Sequence, residues 1–127
     1  MMFDYAAFEP GSTYGEHDFA VTAEEVAAWR SLFGGAGAEW MPAGMVPVVA
    51  MRAYMAVVTP RPPGNVHGAS TFRVYRRVRV GETLRTTVGC EGKDIRKGRK
   101  IVRLGLHCRG ATGDVAFDAT ITSLVAV

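Results

Sequence analysis

Two side chains in this sequence are of types that pass protons to and from water: the carboxylate of Glu39 and the imidazole of His67. Glu39 precedes Trp40 and Met41, and a partly apolar mouth there would suit it to general acid–base work. The competing reading is a solvated loop carboxylate, favoured by the positive end of the helix that follows. His67 lies beyond Pro62-Pro63-Gly64, where a strand begins, and is either an acid–base group or a structural side chain. A third group is backbone. The amides of Gly44 and Met45, at the start of an apolar run, would hold an oxygen that gains negative charge. They would otherwise take water or capping contacts, with Gly44 serving close packing. Trp40 would line the same mouth. Arg61, Arg73, Arg76 and Arg77 could bind an anionic group there. Arg76 interrupts an apolar row, so it needs either an anionic ligand or an internal partner such as Glu39 or an N-terminal acid.

The apolar run that positions these groups covers residues 42–58 and carries one charge, Arg52. Its start at Pro42 leaves Pro47 in the tolerant first turns of a helix. A helix apolar around its circumference has to be enclosed by other structure, and this one is shorter than the ~20 residues that span a bilayer. Before it, Gly15–Val21 reads as a strand. Thr22 and Glu25 read as a capping box for a helix over Ala23–Phe33, which the glycines at 34, 35 and 37 end. After it come strands. From Phe72 to Val80 the even positions carry Phe72, Val74, Val78 and Val80, broken by Arg76, and the odd ones carry Arg73, Tyr75, Arg77 and Arg79. Inward rows continue through Leu84, Val88 and Cys90, through Val102–Cys108 and through Val115–Val125, with turns at Gly81-Glu82, Lys97-Gly98 and 111–114. The expected order is β-α-α-β-β-β-β: an α+β domain over 1–127, with a curved antiparallel sheet wrapped around the central helix.

That arrangement resembles the hot-dog fold, and its details are similar to the MaoC-like dehydratase and (R)-specific enoyl-thioester hydratase family. Three segments carry the resemblance across most of the chain. They are the first strand with Val21–Trp29, the Gly44-Met45 start of the central helix, and His67–Phe72 through Val78–Leu84 with its Gly81-Glu82 turn. The family turn has Gly-Asp at that place. Catalytic members carry Gly-Asp-x-Asn-Pro-x-His between the two helices, where the Asp and His activate water for addition beside a thioester carbonyl. Here that region is Gly34-Gly35-Ala36-Gly37-Ala38-Glu39-Trp40-Met41-Pro42, with neither residue. The resemblance therefore implies one of two roles. Either the chain is a hydratase or dehydratase of acyl-CoA or acyl-carrier thioesters with a rebuilt site, in which Glu39 and His67 replace the usual pair. Or it is a non-catalytic subunit that shapes an acyl tunnel for a catalytic partner. A hot-dog thioesterase would want a carboxylate on the central helix, and residues 43–58 have none.

The net charge of +3 conceals an asymmetry. Six acids and no Lys or Arg occupy the first 29 residues, whereas thirteen bases and three acids lie from Arg61 to Arg109. Such a surface attracts nucleic acid, a phosphorylated small molecule or an acidic carrier protein, or simply blocks edge pairing. Nucleic acid is the weaker reading, because Tyr75 alone offers a stacking ring on the Arg row. His17 and His107 read as exposed strand residues. No spacing suggests a metal site, no separate cofactor is implied beyond coenzyme A within the substrate, and Ser31 and Ser70 lack a nucleophile context. Cys90 and Cys108 fall about three residues out of register, so free thiols are expected, as suits the cytoplasm. The start, Met1-Met2-Phe3-Asp4-Tyr5, lacks the pattern of a signal peptide. An exposed sheet edge predicts a homodimer or a heterodimer with another hot-dog chain, the central helices side by side.

Overall fold

The structure, a computed structural model, describes residues 2–127. Its elements are β1 (Thr13–Ala20), α1 (Ala23–Phe33), α2 (Val46–Val57), β2 (Val66–Val74), β3 (Thr83–Arg96), β4 (Arg99–Arg109) and β5 (Val115–Val125). The five strands form one sheet in the order β1-β3-β4-β5-β2, antiparallel throughout. Long β3, β4 and β5 alternate buried and open residues, and their inner faces supply Leu84, Val88, Val102, Leu104, Leu106, Phe117 and Ile121 to the core. No helix among the described residues is long and apolar enough to cross a membrane.

Local chemistry explains most boundaries. The Thr22 hydroxyl accepts the Glu25 amide at 3.1 Å and opens α1. The return bond of the expected capping box is not made: the Glu25 carboxylate reaches α2 and pairs with Arg52 at 2.9 Å. Gly34, at φ +80°, ends the helix in the left-handed region. α2 starts later than Pro42. A 3₁₀ turn over Ala43–Met45 precedes it, and Pro47 falls in its first turn, where no amide is needed. The β3–β4 hairpin turns at Lys97-Gly98, both with positive φ, the geometry that fits strand twist. Across that hairpin Cys108 faces Thr86 and Cys90 faces Leu104, so the two buried thiols stay free.

Two expectations change. The central helix is not enclosed by its own chain. Val46, Val49, Ala50 and Ala53 are buried against the sheet, while Pro47, Arg52, Met55 and Ala56 are open. The sheet wraps one face and leaves the opposite one bare. The strand read over Phe72–Val80 also ends early, at Val74, and resumes only as an isolated bridge between Trp40 and Arg79. Val78 keeps its inward place at 3% exposure. Between them the Arg76 head is held by the carboxylates of Glu82 and Asp114.

Candidate functional site at the start of the central helix

The segment Glu39-Trp40-Met41 lies beside residues 78–80, held by Met41 N–H to Val78 O (2.7 Å) and Val80 N–H to Glu39 O (2.8 Å). That placement sets the Trp40 ring against two guanidiniums, with Arg77 Cζ 4.0 Å and Arg79 Cζ 4.3 Å from its centroid. Arg30 donates to the Trp40 carbonyl at 3.4 Å. The Glu39 carboxylate is exposed and pairs with Arg79. Next to this cationic rim is a cavity of about 320 Å³. Met41, Val46, Val74, Val78 and Phe117 give it apolar walls, and Arg76 and Arg77 lie at its side.

The helix start narrows what the backbone can offer. The Met45 amide is spent on Pro42 O at 2.9 Å, and Val46 N–H bonds to Ala43 O. Met45 is therefore a buried wall, 1% exposed, and not an oxyanion donor. Gly44 is exposed, and among the described residues its amide meets no acceptor. Its lack of a side chain also serves packing: a Cβ there would lie 2.6 Å from the Trp29 ring. The close-packing reading of Gly44 thus holds, and its amide is left without an acceptor among the described residues.

Arg76 does not bind Glu39 or an N-terminal acid. It forms a two-pronged pair with Glu82 (Nη2–Oε1 2.9 Å, Nη1–Oε2 3.1 Å), and Glu82 also accepts the Arg79 amide at 2.7 Å. The buried Arg76 Nε lies 2.6 Å from Asp114 Oδ2 but is not aligned for a hydrogen bond. Gly110 leaves room for this cluster, since a Cβ there would fall 2.3 Å from Arg76 Nη2. The Arg76 hydrogen bonds hold the Glu82 carboxyl below its usual range. Asp114 is lowered too, first by the Thr112 hydroxyl and then by Arg76. Arg76 is thereby committed to structure.

The other expected site residues scatter. Arg61 donates to Val58 O and covers Tyr54, so it caps the far end of α2, about 18 Å of helix from Val46. His67 is exposed near the start of β2, roughly 23 Å along the strand from Val74. One chain therefore does not bring Glu39 and His67 together. His17 is only half-exposed. It lies over the open face of α2 in a shallow basin of about 680 Å³ with Pro47, Val48, Met51 and Met55. Glu82 as the partner of Arg76 escaped sequence reasoning, although its place on the Gly81 turn, six residues on, was the available signal.

No family model matches the chain, and no curated protein is similar in sequence. Solved structures do match. A MaoC-like dehydratase from Rhodospirillum rubrum superposes with a TM-score of 0.80 at 16% identity, over 97% of this chain and 96% of that one. An (R)-hydratase from A. caviae involved in PHA biosynthesis gives 0.72 at 14%, over 94% and 98%. The HadBC (3R-hydroxyacyl-ACP dehydratase) complex from Mycobacterium tuberculosis gives 0.72 at 17%, over 88% and 92%. This is the hot-dog fold. Within it, the turn that leads into α2 carries a Gly44 amide without an acceptor among the described residues, and an apolar cavity and an arginine–tryptophan rim lie near the start of α2. Neither a carboxylate nor an imidazole lines that cavity.

Proposed function

We propose that this hot-dog chain binds acyl thioesters of coenzyme A or an acyl-carrier protein, for hydratase or dehydratase chemistry. The observation that carries the reading is the cavity at the start of α2, apolar in its walls and with Arg76 and Arg77 at its side. An acyl tail of a few carbons would fill the apolar walls, and the Gly44 amide would take the thioester oxygen. Arg77 would face the anionic carrier, and coenzyme A would enter as part of the substrate, with no separate cofactor. We also read the working unit as a dimer of two such chains, closed over the bare face of α2 and the edge of β2.

The reading is tested by thermal unfolding of the purified protein with short- and medium-chain 2-enoyl-CoA. The midpoint is expected to rise with ligand concentration and to rise less for Arg77→Ala. No rise at any chain length would sink it. The alternative is a non-catalytic subunit that shapes the tunnel for another hot-dog chain. It is favoured by the absence of an acid–base group from the cavity lining. Stabilisation without turnover by the protein alone would select it.

A further inference from the structure

Resting on the acyl-thioester reading above, we propose that the acid–base group missing from each cavity is the partner subunit's His67, delivered across a two-fold pairing of β2 with a second copy of this chain. The argument begins with the face on which His67 stands. On β5 the residues 117, 119, 121 and 123 point into the core, and Phe72 pairs with Ala119 and Ser70 with Ile121. Simple alternation would send His67 to the outer face with Ala69 and Thr71. A β-bulge at Gly68 intervenes: Ala69 pairs with Thr122, but His67 pairs with the buried Ser123. One extra residue puts position 67 in register with the concave side of the sheet, the side of α2 and the cavity.

β2 is the edge most open to a second copy. It is an outer strand of the sheet, and eight of its nine residues are exposed. It has no proline, and its two ionisable side chains are His67 and Arg73. Arg73 stands opposite Asp118 in the register, on the outer face, so self-pairing sets no like charges against each other. A strand edge turned about a two-fold axis presents donors to acceptors and acceptors to donors, so the same edge completes it. A nine-residue edge spans about 30 Å. With the helix layer above it, the contact approaches roughly 600 Å² per copy, at the lower end for a stable dimer.

Symmetry then fixes the neighbours. The axis has to pass beside a residue that faces its own copy, near the middle of the strand. With Thr71 on the axis, and the bulge counted, the partner subunit's His67 falls opposite Val74, a concave-side position, as pairing requires, that lines the cavity. Directly opposed residues in antiparallel strands lie about 5 Å apart. The chemistry balances with one imidazole. A water O–H bond breaks, its proton moves to the imidazole, and the oxygen bonds to C3 of the enoyl chain. The C2=C3 electron pair shifts toward the thioester oxygen at the Gly44 amide. The imidazolium then returns the proton to C2, and water has been added.

Two differently tagged chains test the geometry, one carrying His67→Cys and the other Val74→Cys. The native thiols are buried and do not interfere. Mild oxidation is expected to link the two tags in the dimer, whereas His67→Cys mixed with Arg73→Cys, on the opposite face, is expected to stay unlinked. A monomer, no link, or a link to position 73 in place of 74 overturns the proposal. Chemistry is read separately. His67→Ala should lower hydration of 2-enoyl-CoA by ~100-fold or more. Mixing it with a Val74→Trp chain, whose own cavity is filled, should restore turnover in mixed dimers. Failure of that rescue also overturns the proposal. A 67–74 link without stabilisation by enoyl-CoA would instead remove the thioester reading and leave the shared geometry standing.

Discussion

The two edges of the sheet, β1 and β2, differ in how they meet solvent. β1 carries Glu16 and Asp18 on its outer face, both paired with Arg85 of β3 (3.7 and 2.9 Å). Its inner face is occupied: Phe19 is 4% exposed with the Arg52 guanidinium over its ring, and His17 leans over α2. Among the described residues β2 makes no salt bridge, Phe72 is the one side chain of it that packs on the core, and Val66 and Val74 are each more than half exposed. Both strands carry one bulge, so the bulge alone does not separate them. Charge and cover do. One edge is closed by devices that block association, and the other is bare along the same side on which α2 lacks a lid.

The largest expected effect therefore comes from placing a charge on the bare edge. Ser70→Lys puts two like charges near a two-fold axis, and sedimentation should show monomers at concentrations where the parent is dimeric. Thr13→Lys, an equivalent exposed change on β1, should leave the dimer intact. Dissociation by both, or by neither, would remove the distinction between the edges.

A smaller effect is expected where β2 hands the chain to β3. Arg76, Glu82 and Asp114 pin residues 75–82 there, and Arg76→Met strands a half-buried carboxylate. The expected loss is about 1–2 kcal/mol, since a carboxylate left without its partner bears part of its desolvation cost. The sign with pH follows from the carboxylates. Both Glu82 and Asp114 are lowered in the folded state. Their contribution is full above the unfolded values, 4.5 and 3.8, and is lost as pH falls through the folded ones. Urea unfolding should show parent and Arg76→Met well separated near pH 6, with the gap narrowing as pH falls below the unfolded values of 4.5 and 3.8. A constant gap across that range would mean the arginine acts by packing alone.

Much of the fold was legible because periodicity reports burial. The strand alternation, the Thr22 cap, the glycine stops and the Lys97-Gly98 turn are local signals, and the elements they bound appear there, whereas the strand over Phe72–Val80 stops at Val74 and α2 starts after Pro42. The bare face of α2 was not legible: an all-apolar helix says that it is covered, not by which chain. The site was harder for a related reason. Trp40 and Gly44 are near in sequence, and both lie in the segment that leads into α2. Arg61 and His67 follow the helix, and a helix carries the chain some 18 Å away from its own start. The face of His67 depends on a single bulge, and composition around Gly68 gives no parity for it. Arg76 was correctly marked as needing a partner, but which carboxylate curls back is decided by turn geometry.

The subtlest test concerns what protects β1. Its outer pairs are well exposed, so Asp18 and Arg85 contribute through charge at the surface and little through desolvation, and salt screens them. Replacing Glu16 and Asp18 together by Thr should leave the unfolding midpoint close to the parent value, since Thr suits a strand and no buried group loses a partner. The difference should appear in association. Without those carboxylates the β1 edge resembles β2, and light scattering at high protein concentration should detect species larger than the dimer, growing by edge addition. If the double variant remains dimeric, the bulge between Thr13 and Gly15 and the side chains over the inner face are sufficient to close that edge. Charge would then be incidental to β1, and the openness of β2 would have to be attributed to the missing cover alone.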